Sequence, residues 1–488
     1  MAEFETIIGL EVHVQVGTRS KAFCADSTTF GQPPNTQVSA VSLAHPGTLP
    51  RSNRRQVELA ARLGLALGSQ INLRSTFDRK NYFYADLPKG YQITQDQTPI
   101  CVGGELDVYL DGNWRSFRIH HIHMEEDAGK SQHAENAAYS QIDLNRAGVP
   151  LLEIVTEPDL RSAAEVDAFM TAMRQLVRYL GVSDGNMEQG SMRCDINVSI
   201  RPRGAQELRA RCEIKNINSM RYARQAIAYE VARQQKIVAG GGTVQQQTRN
   251  FDPDTGRTYA LRDKENAHDY RYFPEPDLPP VLLTPAELAT MQKQLPALPR
   301  ARYEQFRQEY QLSDYDARLL VEERETADLF SAMLGSYHNP KGLANLIINR
   351  LFSWCQEHQV SLADLPANAA QLAAFQRIID EGLVSHSTAY QRLFPQWIRQ
   401  AEEDPRALAQ ALNLVQNSNT NYLEELALQV ISANPDKVKV YRKGKKGLLG
   451  FFMGQLMRAS KGKADPQLSK QLLQRLLDTS EDESPRKT

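Results

Sequence analysis

The sequence predicts an α+β protein: a large strand-rich cradle domain, then an all-helical bundle, then a small helical tail. Three observations predict it. Period-two alternation of apolar and polar residues recurs near residues 4–16, 191–201 and 208–215, as half-buried strands require. From about residue 296 onward the apolar spacing is helical almost throughout. Between the two lies proline-rich text, Tyr272-Phe273-Pro274-Glu275-Pro276-Asp277-Leu278-Pro279-Pro280, then Pro296 and Pro299, which reads as connector. A length of 488 residues suits about three domains, here 1–295, 296–410 and 411–488.

The elements follow in order. In the first strand Phe4, Thr6, Ile8, Leu10, Val12, Val14 and Val16 share one face, and Glu5, Gly9, Glu11, His13 and Gln15 share the other, with Ile7 the exception. Ser162 and Glu165 form a capping-box pattern, and that helix should stop at Gly181. In the second alternating strand Met192, Cys194, Ile196, Val198 and Ile200 oppose Ser191, Arg193, Asp195, Asn197, Ser199 and Arg201. In the third, Leu208, Ala210, Cys212 and Ile214 oppose Arg209, Arg211, Glu213 and Lys215. A further helix runs from about Ser219 to Ala239 and ends at Gly240-Gly241-Gly242. Such charged faces suit either a solvated sheet or a concave polar sheet that holds a charged substrate. The helical half breaks at Asn339-Pro340 and Asp404-Pro405, and the tail from about residue 480 has the composition of a disordered segment.

Composition narrows the function classes. No run of about 18 apolar residues is present, so no membrane partner is expected. Met1-Ala2-Glu3-Phe4-Glu5 is acidic and resembles neither a signal nor a transit peptide. Five scattered cysteines point to reduced thiols and a cytoplasmic setting. The net charge is −1, so any nucleic-acid contact must come from a local basic patch.

Three groups of residues could carry chemistry. Glu11 and His13 point the same way from one strand, and Glu125-Glu126-Asp127 and Glu153 add carboxylates. Such a set can hold a divalent cation or can be exposed surface charge. Gly185 to Ser191 has the glycine spacing of a phosphate loop but lacks its lysine. Arg193, Asp195, Glu213, Lys215 and Asn216 supply the residue types for phosphate and Mg²⁺, or for a cross-strand ion network. Lys437, Lys439, Arg442, Lys443, Lys445, Lys446, Arg458, Lys461 and Lys463 are opposed only by Asp436; a solvated helix face is one reading, but the one-sided sign and four interspersed glycines favour contact with an RNA backbone. Cys24 stands alone, so no structural zinc is expected. There is no Gly-x-Ser-x-Gly elbow, and Cys194 and Cys212 fall on apolar faces.

Several long segments in order resemble the GatB family, the B subunits of bacterial Asp/Glu-tRNA amidotransferases. They are Ile8 to His13, Arg79 to Gln92, His123 to Lys130, Asp143 to Pro158, Gly185 to Asn197, Glu213 to Ser219 and Asp269 to Asp277. The most specific is the run Asp143 to Pro158, which includes Asn145, Arg146, Pro150, Glu153 and Glu157. The resemblance implies that ATP phosphorylates the side-chain carboxylate of Glu or Asp esterified to tRNA(Gln) or tRNA(Asn), and that ammonia then attacks the acyl phosphate. It implies Mg²⁺ on His13, Glu126 and Glu153, with Glu11, Asp195, Glu213 and Lys215 as catalytic groups of the cradle. Ser191, Arg193 and Asn216 would handle the nucleotide, and Lys443, Lys445, Lys446, Arg458 and Lys461 would hold tRNA. With no amidase nucleophile in this chain, ammonia would come from an amidase partner, GatA, clamped by a smaller one, GatC, in a heterotrimer.

The chain departs from the family's pattern in three places. Where many members carry several cysteines after the position of Cys24, it has Ala25-Asp26-Ser27 and Ser39-Ala40-Val41-Ser42. Ala85 stands where proline is usual, and residues 300–410 resemble the family weakly.

Overall fold

The computed structural model describes residues 4–133, 139–215, 217, 219–263, 270–416, 419–460 and 462–478. Asn216, Lys461 and the tail from about 480 lie outside the described residues. The chain forms two compact units, Met1–Ala301 and Arg302–Thr488. The first is built on a sheet and the second on helices, the α+β order that the sequence predicts.

The first unit centres on a ten-stranded sheet. Its strands are β1 (Phe4–Gln15), β2 (Gln70–Ile71), β3 (Cys101–Val102), β4 (Glu105–Leu110), β5 (Asn113–Glu126), β6 (Pro150–Thr156), β7 (Met192–Pro202), β8 (Cys212–Lys215), β9 (Gln247–Asp252) and β10 (Arg257–Asp263). The spatial order is β10-β9-β8-β7-β1-β6-β5-β3-β2, with β4 folded back on β5. The first strand of the chain therefore lies near the centre, between strands that follow it by well over a hundred residues. The pairing of β8 with β9 is parallel. It needs a crossover, which the helix Met220–Ala239 supplies.

Alternation sets the two faces of the sheet. Ile8, Leu10, Val12 and Val14 of β1 and Cys194, Ile196 and Val198 of β7 point into the core. They pack with α1 (Arg54–Ala66), α2 (Ala163–Tyr179) and α3 (Met220–Ala239). The interleaved polar residues line the opposite face, half-buried rather than solvated. Both predicted helix boundaries hold. Ser162 caps α2 by accepting from the Glu165 amide at 3.2 Å, and Gly181 follows its end at φ 64°. Ser219 caps α3, which ends at Ala239 before Gly240. Gly64 of α1 lies so close to the sheet that an added Cβ would stand 2.4 Å from the Cys101 sulfur.

Two expectations are corrected. Residues 208–211 are not strand. β7 runs to Pro202 while β8 pairs Cys212 with Val198, so the intervening residues are spent on the turn. The proline-rich text is not only connector. Phe273–Pro274 pairs with Arg79 and Asp78, and Val281–Leu282 pairs with Ser75 and Arg74. Both are short sheet edges, where proline is tolerated because no central ladder needs its missing N–H.

The second unit has two hydrophobic cores. One gathers Phe306, Phe330, Phe375, Phe394 and Trp397. The other gathers Leu423, Tyr441, Phe452, Leu456 and Leu473, from helices that include Thr420–Ser432, Leu449–Ala459 and Pro466–Asp478.

Candidate phosphoryl-transfer site on the polar face of the sheet

Cross-strand register builds the site. β1 pairs His13 with Glu153 of β6 on one side and with Arg193 of β7 on the other. β6 pairs Glu153 with His123 of β5. On the other flank Glu11 pairs with Asp195, and Asn197 pairs with Glu213. Residues scattered over two hundred positions thus stand in adjacent rows on one face.

The first cluster is His13, Glu125 and Glu153. His13 Nε2 lies 3.3 Å from Glu153 Oε2 and 3.8 Å from Glu125 Oε1. His123 Nε2 approaches the same carboxylates at 3.3 and 3.5 Å. Burial opposes charge on His13 and His123, but Glu153 and Glu125 outweigh it, raising His13 and pushing His123 up to about 10. Burial likewise opposes charge on Glu153, and the two imidazoles hold it well below the usual carboxylate range. Ligands at about 2.1 Å from one Mg²⁺ can be no more than about 4.2 Å apart. The His13 distances satisfy that limit, and two carboxylates with one imidazole leave positions for the waters that Mg²⁺ retains.

The second cluster is Glu11, Asp195 and Glu213. Lys215 Nζ bridges Asp195 Oδ2 at 2.7 Å and Glu213 Oε1 at 2.8 Å. Asn197 donates to Glu11 Oε1 at 2.9 Å. Burial and the neighbouring Glu153 and Glu213 raise the Glu11 carboxyl above its ordinary value. Burial disfavours the Lys215 charge, but Asp195 and Glu213 raise its pKa and keep it a cation. A cavity of about 260 Å³ joins the rows, lined among others by His13, Lys80, Tyr82, Glu153, Arg193 and Asp195.

Glu126, expected among the ion ligands, faces the other way. Successive strand residues point to opposite faces, so Glu125 shares the side of His123 and Glu126 does not. The buried Glu126 carboxylate accepts from the Ile93 amide at 3.0 Å and pairs with the Lys89 ammonium. Its expected place in the cluster belongs to Glu125. The parity of His123 and Glu125 was the signal in the sequence that could have separated them.

Arg193 faces the cavity and holds Asp127 at 2.9 Å. Ser191 lies beside the end of β1, its carbonyl accepting from the Gln15 amide. The glycine-spaced segment before it is not a phosphate cradle. The Asn186 side chain accepts from the amides of Glu188 and Gln189, and the Asn186 carbonyl accepts from that of Ser191. Asp143 and Asn145 of the most specific family segment act structurally: they receive the amides of Asn35 and Gln37 and so tie down the loop after Cys24. In the second unit Lys443, Lys445, Lys446 and Arg458 are exposed. Lys446 pairs with Asp478.

A family model described as "GatB/GatE catalytic domain" matches residues 6–289, and one described as "GatB domain" matches residues 328–477. The chain is 48% identical over 481 residues to a protein of Anaeromyxobacter sp. (strain Fw109-5), covering 98% of this chain and 99% of that one. It is 47% identical over 476 residues to one of Nitratidesulfovibrio vulgaris (strain DP4), covering 97% and 99%. A protein of Persephonella marina (strain DSM 14350 / EX-H1) is 43% identical over 476 residues, covering 97% and 100%. Each of these relatives is named as the B subunit of an aspartyl/glutamyl-tRNA(Asn/Gln) amidotransferase.

Proposed function

Since the chain belongs to the GatB family of tRNA-dependent amidotransferase B subunits, we propose that its polar sheet face is where ATP activates the substrate carboxylate. The observation that carries this reading is the convergence of His13, Glu125 and Glu153 on one open cavity beside Glu11, Asp195, Glu213 and Lys215. The substrate is Glu-tRNA(Gln) or Asp-tRNA(Asn), and the product is the corresponding amide.

A carboxylate offers no good leaving group to an amine, so it must first be activated. Its oxygen attacks the terminal phosphorus of ATP, forming an acyl phosphate and releasing ADP. Ammonia then adds to the acyl carbon and phosphate leaves. A Mg²⁺ held by His13, Glu125 and Glu153 supplies neutralisation of phosphoryl charge when bound. The chain's own groups do the rest. Arg193 and Lys80 bring positive charge to the cavity wall. Lys215, fixed between two carboxylates, orients the charged substrate. Glu11, whose proton affinity is raised, takes the proton released when ammonia becomes an amide. Ser191, and Asn216 next in sequence to β8, are the remaining nucleotide contacts.

The wider reading follows the same family. The complex is a carbon–nitrogen ligase that takes nitrogen from glutamine through the amidase GatA, held by the small GatC, and it works in the cytoplasm. Among the described residues no helix is long and apolar enough to cross a membrane. Lys443, Lys445 and Arg458 contact the tRNA backbone, joined by Lys446 and Lys461.

The test is ATP turnover by the assembled complex with misacylated tRNA and Mg²⁺. Glu153→Gln and His13→Ala should each lower it by a hundredfold or more while tRNA affinity stays within a few-fold. Undiminished turnover in both variants would leave this chain a non-catalytic scaffold that binds tRNA.

A further inference from the structure

The loop between Cys24 and Ser42 brings the residues that stand in place of the family's cysteines to one point. That point is the Asp26 carboxylate. Its Oδ2 accepts from the Ser39 amide at 2.9 Å and from the Ser42 hydroxyl. The Ser39 amide is shared with Ser42 Oγ, also at 2.9 Å. The Asp26 carbonyl accepts from the Lys21 amide, closing the loop's entry. Burial opposes the charge on Asp26, but Ser42, Cys24, Ser39 and the nearby Lys21 outweigh it and lower its pKa.

These donors do not suit zinc. A structural zinc site takes four thiolate or imidazole ligands. Here one thiol remains, and burial pushes it up to about 11, so it is protonated at neutral pH. Serine hydroxyls are neutral hydrogen-bond donors. The Oδ2 of the carboxylate beside them is already engaged by the Ser39 amide and the Ser42 hydroxyl. Among the described residues the groups of three or more potential ligands lie elsewhere, on the sheet face.

We infer that this chain holds its Cys24–Ser42 loop with a metal-independent staple, in which the Asp26 carboxylate gathers donors from residues that stand where many members of the family carry cysteines. An anionic acceptor at the centre with donors around it inverts the charge pattern of a metal cage, where a cation is surrounded by anions. A metal cage and this arrangement exclude one another. The staple also fixes the wall of a cavity of about 180 Å³ that holds Cys24, Ser42, Lys21 and Glu126, behind the strand that carries Glu125.

Three measurements test this on the assembled complex. Zinc content should be well below one ion per chain, and a zinc-selective chelator should leave the melting temperature unchanged. Asp26→Asn should speed amide hydrogen exchange at Ser39 at least tenfold. Asp26→Cys/Ser39→Cys/Ser42→Cys, completing a four-thiol set with Cys24, should gain the intense visible spectrum of tetrahedral thiolate-bound Co²⁺, which the natural chain lacks. Stoichiometric zinc in the natural chain, or melting lowered by the chelator, overturns the inference. So does unchanged exchange at Ser39 in Asp26→Asn, which remains informative if the triple-cysteine variant does not fold.

Discussion

At the scale of single residues, two adjacent glutamates have opposite tasks. Glu125 faces His13 and the open cavity, whereas Glu126 is buried against Lys89 and the Ile93 amide. Glu125→Gln should therefore abolish ATP turnover with little change in melting. Glu126→Gln should cost about 1–3 kcal/mol of stability, since the half-buried Lys89 ammonium is left without its counterpart. Both are read by denaturant unfolding beside turnover, and equal effects on the two readouts would contradict the division. His121 gives a pH signature. Burial, then the neighbouring His123 and His120, push it down to about 4, against a pull from Glu153 and Asp96. A base held neutral in the fold takes up its proton mainly on unfolding, so its contribution is intact above the ordinary histidine range. That contribution is lost as pH falls from there towards about 4. His121→Asn should flatten the fall in melting temperature over that window, and an unaltered slope would count against it. Residue type was readable from the sequence here. Strand parity also told that Glu125, not Glu126, shares a side with His123, but which side carries the site was not readable, because only the pairing partners fix it.

At the scale of elements, the long alternating strands and the capped helices were legible because each carries its own signal. β1 and β7 show period two, α2 begins at Ser162, and α3 stops before Gly240. What was not legible is set by partners. Residues 208–211 alternate like a strand but are consumed by a turn, and Phe273–Pro274 pairs despite its proline. Where β6 meets β5 the register shifts between Val155 and Thr156, so that His121 opposes Val155 and Ile119 opposes Thr156. The unmatched His120 then turns towards His121, with Nδ1 atoms 2.7 Å apart. Such a bulge leaves no mark in composition. The contact of α1 with the sheet makes a further prediction. At Gly64 an added methyl meets the Cys101 sulfur and Ile71 Cδ1 at 2.4 and 2.7 Å. Although alanine favours helices, Gly64→Ala should destabilise the first unit by about 1–3 kcal/mol through overpacking. Thermal or urea unfolding checks it, and a stabilised variant would mean that the helix can shift outward.

At the scale of the whole molecule, charge is balanced overall and segregated locally. A net charge of −1 gives no general attraction to RNA, so the proposed tRNA contact has to come from patches such as Lys443 and Lys445. Neutralising both should weaken tRNA binding and lower the salt slope by about 0.7–0.9 per lost phosphate contact. Titration of affinity against salt measures this, and an unchanged slope would place the tRNA elsewhere. The order of strands has a consequence for how the protein is born. β1 leaves the ribosome well before its neighbours in the sheet, β6 and β7. At roughly 5–20 residues per second, several seconds at least must pass before Pro202 emerges. During that interval a strand rich in isoleucine and valine waits without a ladder, exposed to chaperones and to other nascent chains. His13 and Glu11 ride on that strand, so the proposed site can assemble only after most of the cradle has been made.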